Sequence, residues 1–160
     1  MKSLLLILAL TITSSCFAEP FTLYFVRHAE KDLSTKQDPD LTEEGRETAQ
    51  RLADYLEHKE LHKIYSTNYQ RTLNTALPVV KAHRLQVTQY SPRELQTLAA
   101  QLISLKENAL IVGHSNTTPE MVNLVGGEAK PMTEEEYGDL FMVTIDPDLA
   151  TVKTVKIALK

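Results

Sequence analysis

Two histidines stand directly after the two most apolar runs of the chain: Arg27-His28 follows Phe21-Thr-Leu-Tyr-Phe-Val26, and Gly113-His114 follows Ala109-Leu-Ile-Val112. A second arginine, Arg71, follows the short run Ile64-Tyr65-Ser66 at the start of a helical pattern. A neutral imidazole is a nucleophile, an imidazolium is a donor, and a guanidinium offers forked N–H groups that match phosphate oxygens. Two of each in one place make a site for a dianion, and phosphate is the natural ligand. Taken singly, an Arg or His after a strand is more often solvated or a loop cap. Convergence is what gives these four residues weight.

Convergence requires strands whose carboxyl ends lie side by side. The Phe21 and Ala109 runs are apolar on both faces, as in a covered sheet. Thr42, followed by Glu43 and Glu44 and then by Ala49, Leu52, Ala53 and Leu56, predicts a capped amphipathic helix. A second helix opens at Asn68, with Leu73, Ala76 and Leu77 on one side, and is interrupted or kinked at Pro78. Residues 86–90 read as a third strand, Pro92 as the first residue of a helix running to about Leu105, and Pro119 to Val125 as a helix that stops at Gly126-Gly127. Segments 139–145 and 151–158, separated by Asp146-Pro147-Asp148, form a hairpin. The order predicts a three-layer α/β/α sandwich, with a mainly parallel sheet and an antiparallel hairpin at the C-terminus. In such sheets the ligand crevice lies at the carboxyl ends of the strands, so Arg27, His28 and His114 share one rim. Arg71 joins them from a helix start, whose backbone N–H groups also favour an anion.

Composition narrows the partners. With 160 residues, 17 Lys+Arg against 21 Asp+Glu and a formal charge of -4, the chain is one domain without the basic footprint of nucleic-acid binding. It has no Gly-rich nucleotide loop, Gly-x-Ser-x-Gly elbow or Cys-based metal spacing. His58 and His62 stand four apart but lack a third ligand, and Glu57-His-Lys-Glu reads as a solvated face. Neither a metal nor another cofactor is expected. Glu134-Glu-Glu136 after Thr133 reads as the first turn of a helix.

Met1-Lys-Ser, the apolar run from Leu4 to Leu10 and the small residues before Ala18 have the order of a signal peptide, placing the domain at 19–160. Cleavage after Ala18 would leave 142 residues without a cysteine, in the periplasm or secreted. Lipid anchoring through Cys16 is the lesser alternative. The run is far shorter than the roughly 20 residues that cross a bilayer, so no integral membrane segment is expected after cleavage.

Val26-Arg27-His28-Ala29-Glu30 resembles the signature of the histidine phosphatase superfamily, the phosphoglycerate mutase-like proteins. Three further stretches agree in order and spacing: Leu41-Thr-Glu-Glu-Gly-Arg46, Tyr65-Ser-Thr-Asn-Tyr-Gln-Arg71-Thr, and Val112-Gly-His114-Ser-Asn-Thr-Thr-Pro119. The short chain resembles the small bacterial members of the superfamily. The resemblance implies that His28 is the nucleophile and forms a phosphohistidine that water hydrolyses, while Arg27, Arg71 and a protonated His114 clamp the phosphoryl oxygens. It also implies a carboxylic acid after the third strand, for which Glu94 is the best fit; the plainer reading of Glu94 is a first-turn helix acid. Arg93 faces the pocket or solvent, and Ser115 and Asn116 line it from the loop after His114. The implied activity is metal-independent hydrolysis of a small phosphorylated substrate or a phosphorylated peptide. The alternatives are a phosphoglycerate mutase-like phosphotransferase, a phosphohistidine-protein phosphatase, and a domain that binds phosphorylated ligands without turnover.

Overall fold

The computed structural model describes residues 19–159; the expected leader at 1–18, and Cys16 with it, lies outside the described residues. The elements are β1 (Phe21–Arg27), α1 (Glu43–Leu56), β2 (Lys63–Ser66), α2 (Gln70–His83), β3 (Val87–Gln89), α3 (Leu95–Leu105), β4 (Ala109–Gly113), α4 (Thr117–Leu124), β5 (Asp139–Asp146) and β6 (Thr151–Ala158). They build one sheet in the order β3-β2-β4-β1-β5-β6. The first four of these strands are mutually parallel, while β5 runs antiparallel to β1 and to β6. The expected sandwich and its C-terminal hairpin are both present.

β1 and β4 are apolar throughout because they are central and covered twice. Leu23 and Phe25 pack on one face with Leu98, Leu102, Met121 and Val122 of α3 and α4. Tyr24 and Val26 pack on the other with Leu52, Leu56, Ala76 and Val79 of α1 and α2. At the sheet edge, β6 instead carries Lys153 and Lys156 and leaves Val152 and Val155 exposed, as suits an edge that must not recruit another strand.

α1 starts where its residues dictate. The Thr42 hydroxyl accepts from the Gly45 N–H at 3.0 Å, and the Thr42 N–H donates to the Glu30 carbonyl at 2.9 Å. A Cβ at Gly45 would collide with that carbonyl oxygen. The glycine thus lets the helix start press against the loop that follows β1, and so against the site.

Other boundaries differ from expectation for physical reasons. α2 begins after Tyr69 and runs through Pro78, whose missing N–H leaves only the Asn74 carbonyl without its helical donor. Its buried face is Thr72, Thr75, Ala76 and Val79, whereas Leu77 is exposed; the threonines are inside because their hydroxyls have partners at the site. Pro92 lies in a turn, and α3 begins only after Glu94. α4 starts two residues before Pro119, which places the proline in the first turn, where its missing N–H costs nothing. Residues 133–136 are not a helix turn but part of a loop that folds onto Arg27. Gly45→Ala is expected to cost about 1–3 kcal/mol in urea unfolding, the usual penalty of overpacking; an unchanged midpoint would contradict the close approach.

Candidate active site

Parallel pairing brings the two histidines together. The register Arg27↔Gly113 carries the His28 N–H to the Gly113 carbonyl at 2.9 Å, and the two imidazoles meet edge-on with centroids 5.5 Å apart. The His114 N–H donates to the Thr117 hydroxyl at 2.9 Å, an approach that needs glycine at 113, where a Cβ would lie 2.7 Å from that hydroxyl. Arg71 enters from the first turn of α2, its Nη2 3.5 Å from His114 Nδ1. Arg27, His28, Arg71 and His114 therefore form one cluster at the carboxyl ends of β1, β2 and β4.

His28 is buried, and its Nδ1–H donates to the Ala29 carbonyl at 2.8 Å. That bond fixes the tautomer and leaves the Nε2 lone pair free. The loop is held in turn, since the Ala29 N–H donates to Thr75 Oγ1 at 2.9 Å and the Thr75 hydroxyl donates to the Arg71 carbonyl at 2.6 Å. Burial lowers the pKa of His28 to about 3 against the upward pull of the Ala29 carbonyl, with smaller help from the nearby Arg27, Arg71 and His114. The imidazole is neutral across the physiological range and nucleophilic at Nε2.

A chain of hydroxyls orients His114. Thr72 spends its proton on the Thr67 and Tyr69 carbonyls at 2.8 and 2.9 Å, so it can only accept from the Thr67 hydroxyl, 3.0 Å away. Thr67 Oγ1 must then accept from His114 Nε2–H at 2.9 Å, which turns the Nδ1 lone pair toward Arg71. Burial, then Arg71 and Arg27, lower the His114 pKa to about 4, against an opposing pull from Glu134. The free site thus holds His114 neutral. A dianion beside it would raise its basicity.

The arginines keep donors in reserve. Arg27 is fully buried; its Nη1 donates to the Thr133 and Glu136 carbonyls at 3.0 and 2.9 Å, and its guanidinium stacks 4.0 Å from the centre of the Tyr137 ring. Arg71 lies over the Tyr69 ring at 4.5 Å, with Nη1 3.7 Å from Asp38. In both, Nε is buried and has no hydrogen-bond partner among the described residues. Two such buried, unpartnered donors are costly unless an anion uses them.

The structure also brings residues that sequence reasoning missed. Glu134 accepts from Arg27 Nη2 at 3.1 Å, from Lys31 Nζ at 3.1 Å and from the Ser115 hydroxyl. Those hydrogen bonds, Ser115 foremost, hold its pKa down at about 2. A signal for it existed in the hairpin itself, since a strand antiparallel to β1 must be preceded by a segment that arrives at the carboxyl end of β1. Of the remaining expected residues, Ser115 and Asn116 line a cleft of about 610 Å³ together with Pro119, Leu124, Pro131 and Met132. Glu94 and Arg93 are exposed before α3, and the Glu94 carboxylate makes no hydrogen bond or ion pair among the described residues. β3 lies three strand spacings from β1, about 14 Å. His58 and His62 pair with Glu57 and Glu60 at 3.8 and 3.3 Å. Among the described residues no helix is long and apolar enough to cross a membrane.

A covered α/β sheet that gathers a neutral imidazole, a second imidazole and two arginines at its carboxyl edge is a domain equipped for phosphoryl chemistry. Residues 23–94 match the family model of the histidine phosphatase superfamily (branch 1). It is 39% identical over 71 residues to phosphoserine phosphatase 1 of Hydrogenobacter thermophilus, a match covering 41% of this chain and 34% of that protein. The matched stretch is thus about a third of the relative's length. The fold resembles that of the protein histidine phosphatase SixA complexed with tungstate (TM-score 0.69, 17% identity, 86% of this chain and 97% of that one). It also resembles YhfR of Bacillus stearothermophilus (TM-score 0.62, 21% identity, 84% and 95%) and the alpha-ribazole phosphatase of Shigella flexneri (TM-score 0.67, 17% identity, 84% and 95%).

Both imidazoles bind protons more weakly folded than unfolded. Between the unfolded value of 6.5 and the folded values of about 3 and 4, the unfolded chain holds more protons. Their contribution is full above the unfolded value and is lost as pH falls through that window. Thermal melts should therefore drop between about pH 7 and pH 4.5, and His28→Asn should flatten the slope; a slope unaltered by the substitution would contradict the assignment.

Proposed function

We propose that this protein is a phosphomonoesterase working through a phosphohistidine on His28. The observation that carries the reading is the locked tautomer of His28, neutral and with Nε2 free beside Arg27, Arg71 and His114. Nε2 attacks phosphorus and the P–O bond to the leaving group breaks. Water then attacks the phosphohistidine and the P–N bond breaks, returning its electron pair to Nε2. The Ala29 carbonyl supports the charge that the phosphorylated ring carries. Arg27 and Arg71 offer their Nε donors to the non-bridging oxygens, and His114, made more basic by the dianion, donates from Nδ1. Asn116, in the cleft beside His114, contacts the substrate body. The family resemblance suggests Glu94 for the acid that protonates the leaving oxygen.

The chemistry uses only these side chains, and metal independence is part of the proposal. The substrate is a small phosphorylated compound or a phosphorylated peptide, with the named activities of the similar proteins, phosphoserine and protein-histidine phosphatases, as support. The proposed enzyme works in the periplasm or outside the cell after cleavage before Glu19, a reading supported by the leader pattern at residues 1–18.

The full chain should hydrolyse p-nitrophenyl phosphate in EDTA. His28→Ala should lower kcat by about a thousandfold or more, and Arg27→Ala or Arg71→Ala should each lower kcat/KM by about a hundredfold. Phosphate binding without turnover would favour the non-catalytic alternative, activity surviving in His28→Ala would refute the nucleophile, and loss to chelator would refute the metal-free route.

A further inference from the structure

We propose that Glu134, not Glu94, is the carboxyl group that protonates the leaving oxygen and then deprotonates the attacking water. The proposal rests on the phosphatase reading and deepens it.

Position is the first support. Among the described residues, Glu134 is the carboxylate that touches the cations around His28, through Arg27 Nη2 and Lys31 Nζ, each at 3.1 Å, and through the Ser115 hydroxyl. Asp38 spends its carboxylate on the Gln70 N–H at 3.0 Å and stands 3.7 Å from Arg71, and Glu136 spends its own on the Thr133 N–H at 2.6 Å. The backbone that carries Glu134 is anchored, because the Thr133 and Glu136 carbonyls grip Arg27 Nη1 and Tyr137 stacks on the same guanidinium. Depth matters as well. His28 lies at the floor at 2% exposure, while the Glu134 side chain is 66% exposed at the mouth. Displacement at phosphorus sends the leaving group away from the buried nucleophile, and the proposal sets the exposed Glu134 carboxylate on that outer side.

Charge supplies the timing. A phosphoryl group that forks across the unpartnered Nε and the Nη2 of Arg27 takes Nη2 away from Glu134. The carboxylate loses a cation and gains a dianion, and both changes raise its proton affinity from a low resting value. The proton carried by a phosphomonoester monoanion can then pass to Glu134. In the first step Nε2 bonds to phosphorus, the P–O bond breaks, its electron pair stays on oxygen, and Glu134 gives that oxygen its proton. In the second, water bonds to phosphorus, Glu134 takes the water proton, and the P–N electron pair returns to Nε2. Lys31 and Ser115 are positioning residues that aim the carboxylate.

The test compares Glu134→Gln, Glu94→Gln and the loop control Glu135→Gln on p-nitrophenyl phosphate and glycerol phosphate. In Glu134→Gln, kcat/KM on glycerol phosphate should fall by about a hundredfold or more, while p-nitrophenyl phosphate, whose leaving group needs little help, should lose less than about tenfold. A burst of p-nitrophenol should accompany the slower second step. Equal losses on both substrates, a lower KM at unchanged kcat, or a leaving-group effect confined to Glu94→Gln would each overturn the proposal while leaving the phosphatase reading intact. No turnover by the unsubstituted enzyme on either substrate would overturn both.

Discussion

The bond from the His28 N–H to the Gly113 carbonyl closes the parallel pairing of β1 with β4, and the register it ends decides where every reacting group stands. Side chains alternate faces along a strand, so a slip of one residue would exchange Phe25 and Val26 between the two cores. Both cores are tightly filled, with Phe25 and Val26 essentially inaccessible. Hydrophobic packing thus holds the register, and the register sets the imidazoles edge to edge. The helices then add their parts from fixed positions: Arg71 and the threonines from α2, Thr117 from α4, and the Gly45 contact from α1.

The second constraint is electrostatic. Arg27 is buried at the end of a central strand, and a buried charge is tolerated only with partners. Two loop carbonyls, the Tyr137 ring and Glu134 supply them from the segment before β5. The same positive surroundings, with burial, keep both imidazoles neutral, which an attacking nitrogen needs and a phosphate donor does not. A dianion resolves the conflict, since it takes up the spare arginine donors and favours the proton on His114. The resting site is therefore matched to a ligand that carries the missing negative charge.

Much of this was legible before folding. Arg27, His28 and His114 could be placed because they follow runs apolar on both faces, and Arg71 because it opens a helix. Thr67, Thr72 and Thr75 were not legible, since a threonine on a helical pattern looks like solvent-facing surface until its hydroxyl has a partner. α2 differs from its leucine pattern for the same reason: Leu77 faces out, and the buried face is Thr72, Thr75, Ala76 and Val79. Glu134 escaped notice because three consecutive glutamates resemble a helix start, although the antiparallel β5 implied that the preceding segment reaches Arg27. Glu94 illustrates the converse, a residue singled out by resemblance that stands exposed at the start of α3, with no hydrogen bond or ion pair among the described residues to mark its role.

All of this turns on which nitrogen of which histidine receives the phosphoryl group. The direct measurement is phosphorus NMR of the enzyme rapidly denatured in base during turnover, with the labelled peptide mapped by mass spectrometry. A single acid-labile phosphoramidate at Nε2 of His28 is the predicted result. A phosphoryl group on Nδ1, on His114 or on a hydroxyl would contradict it.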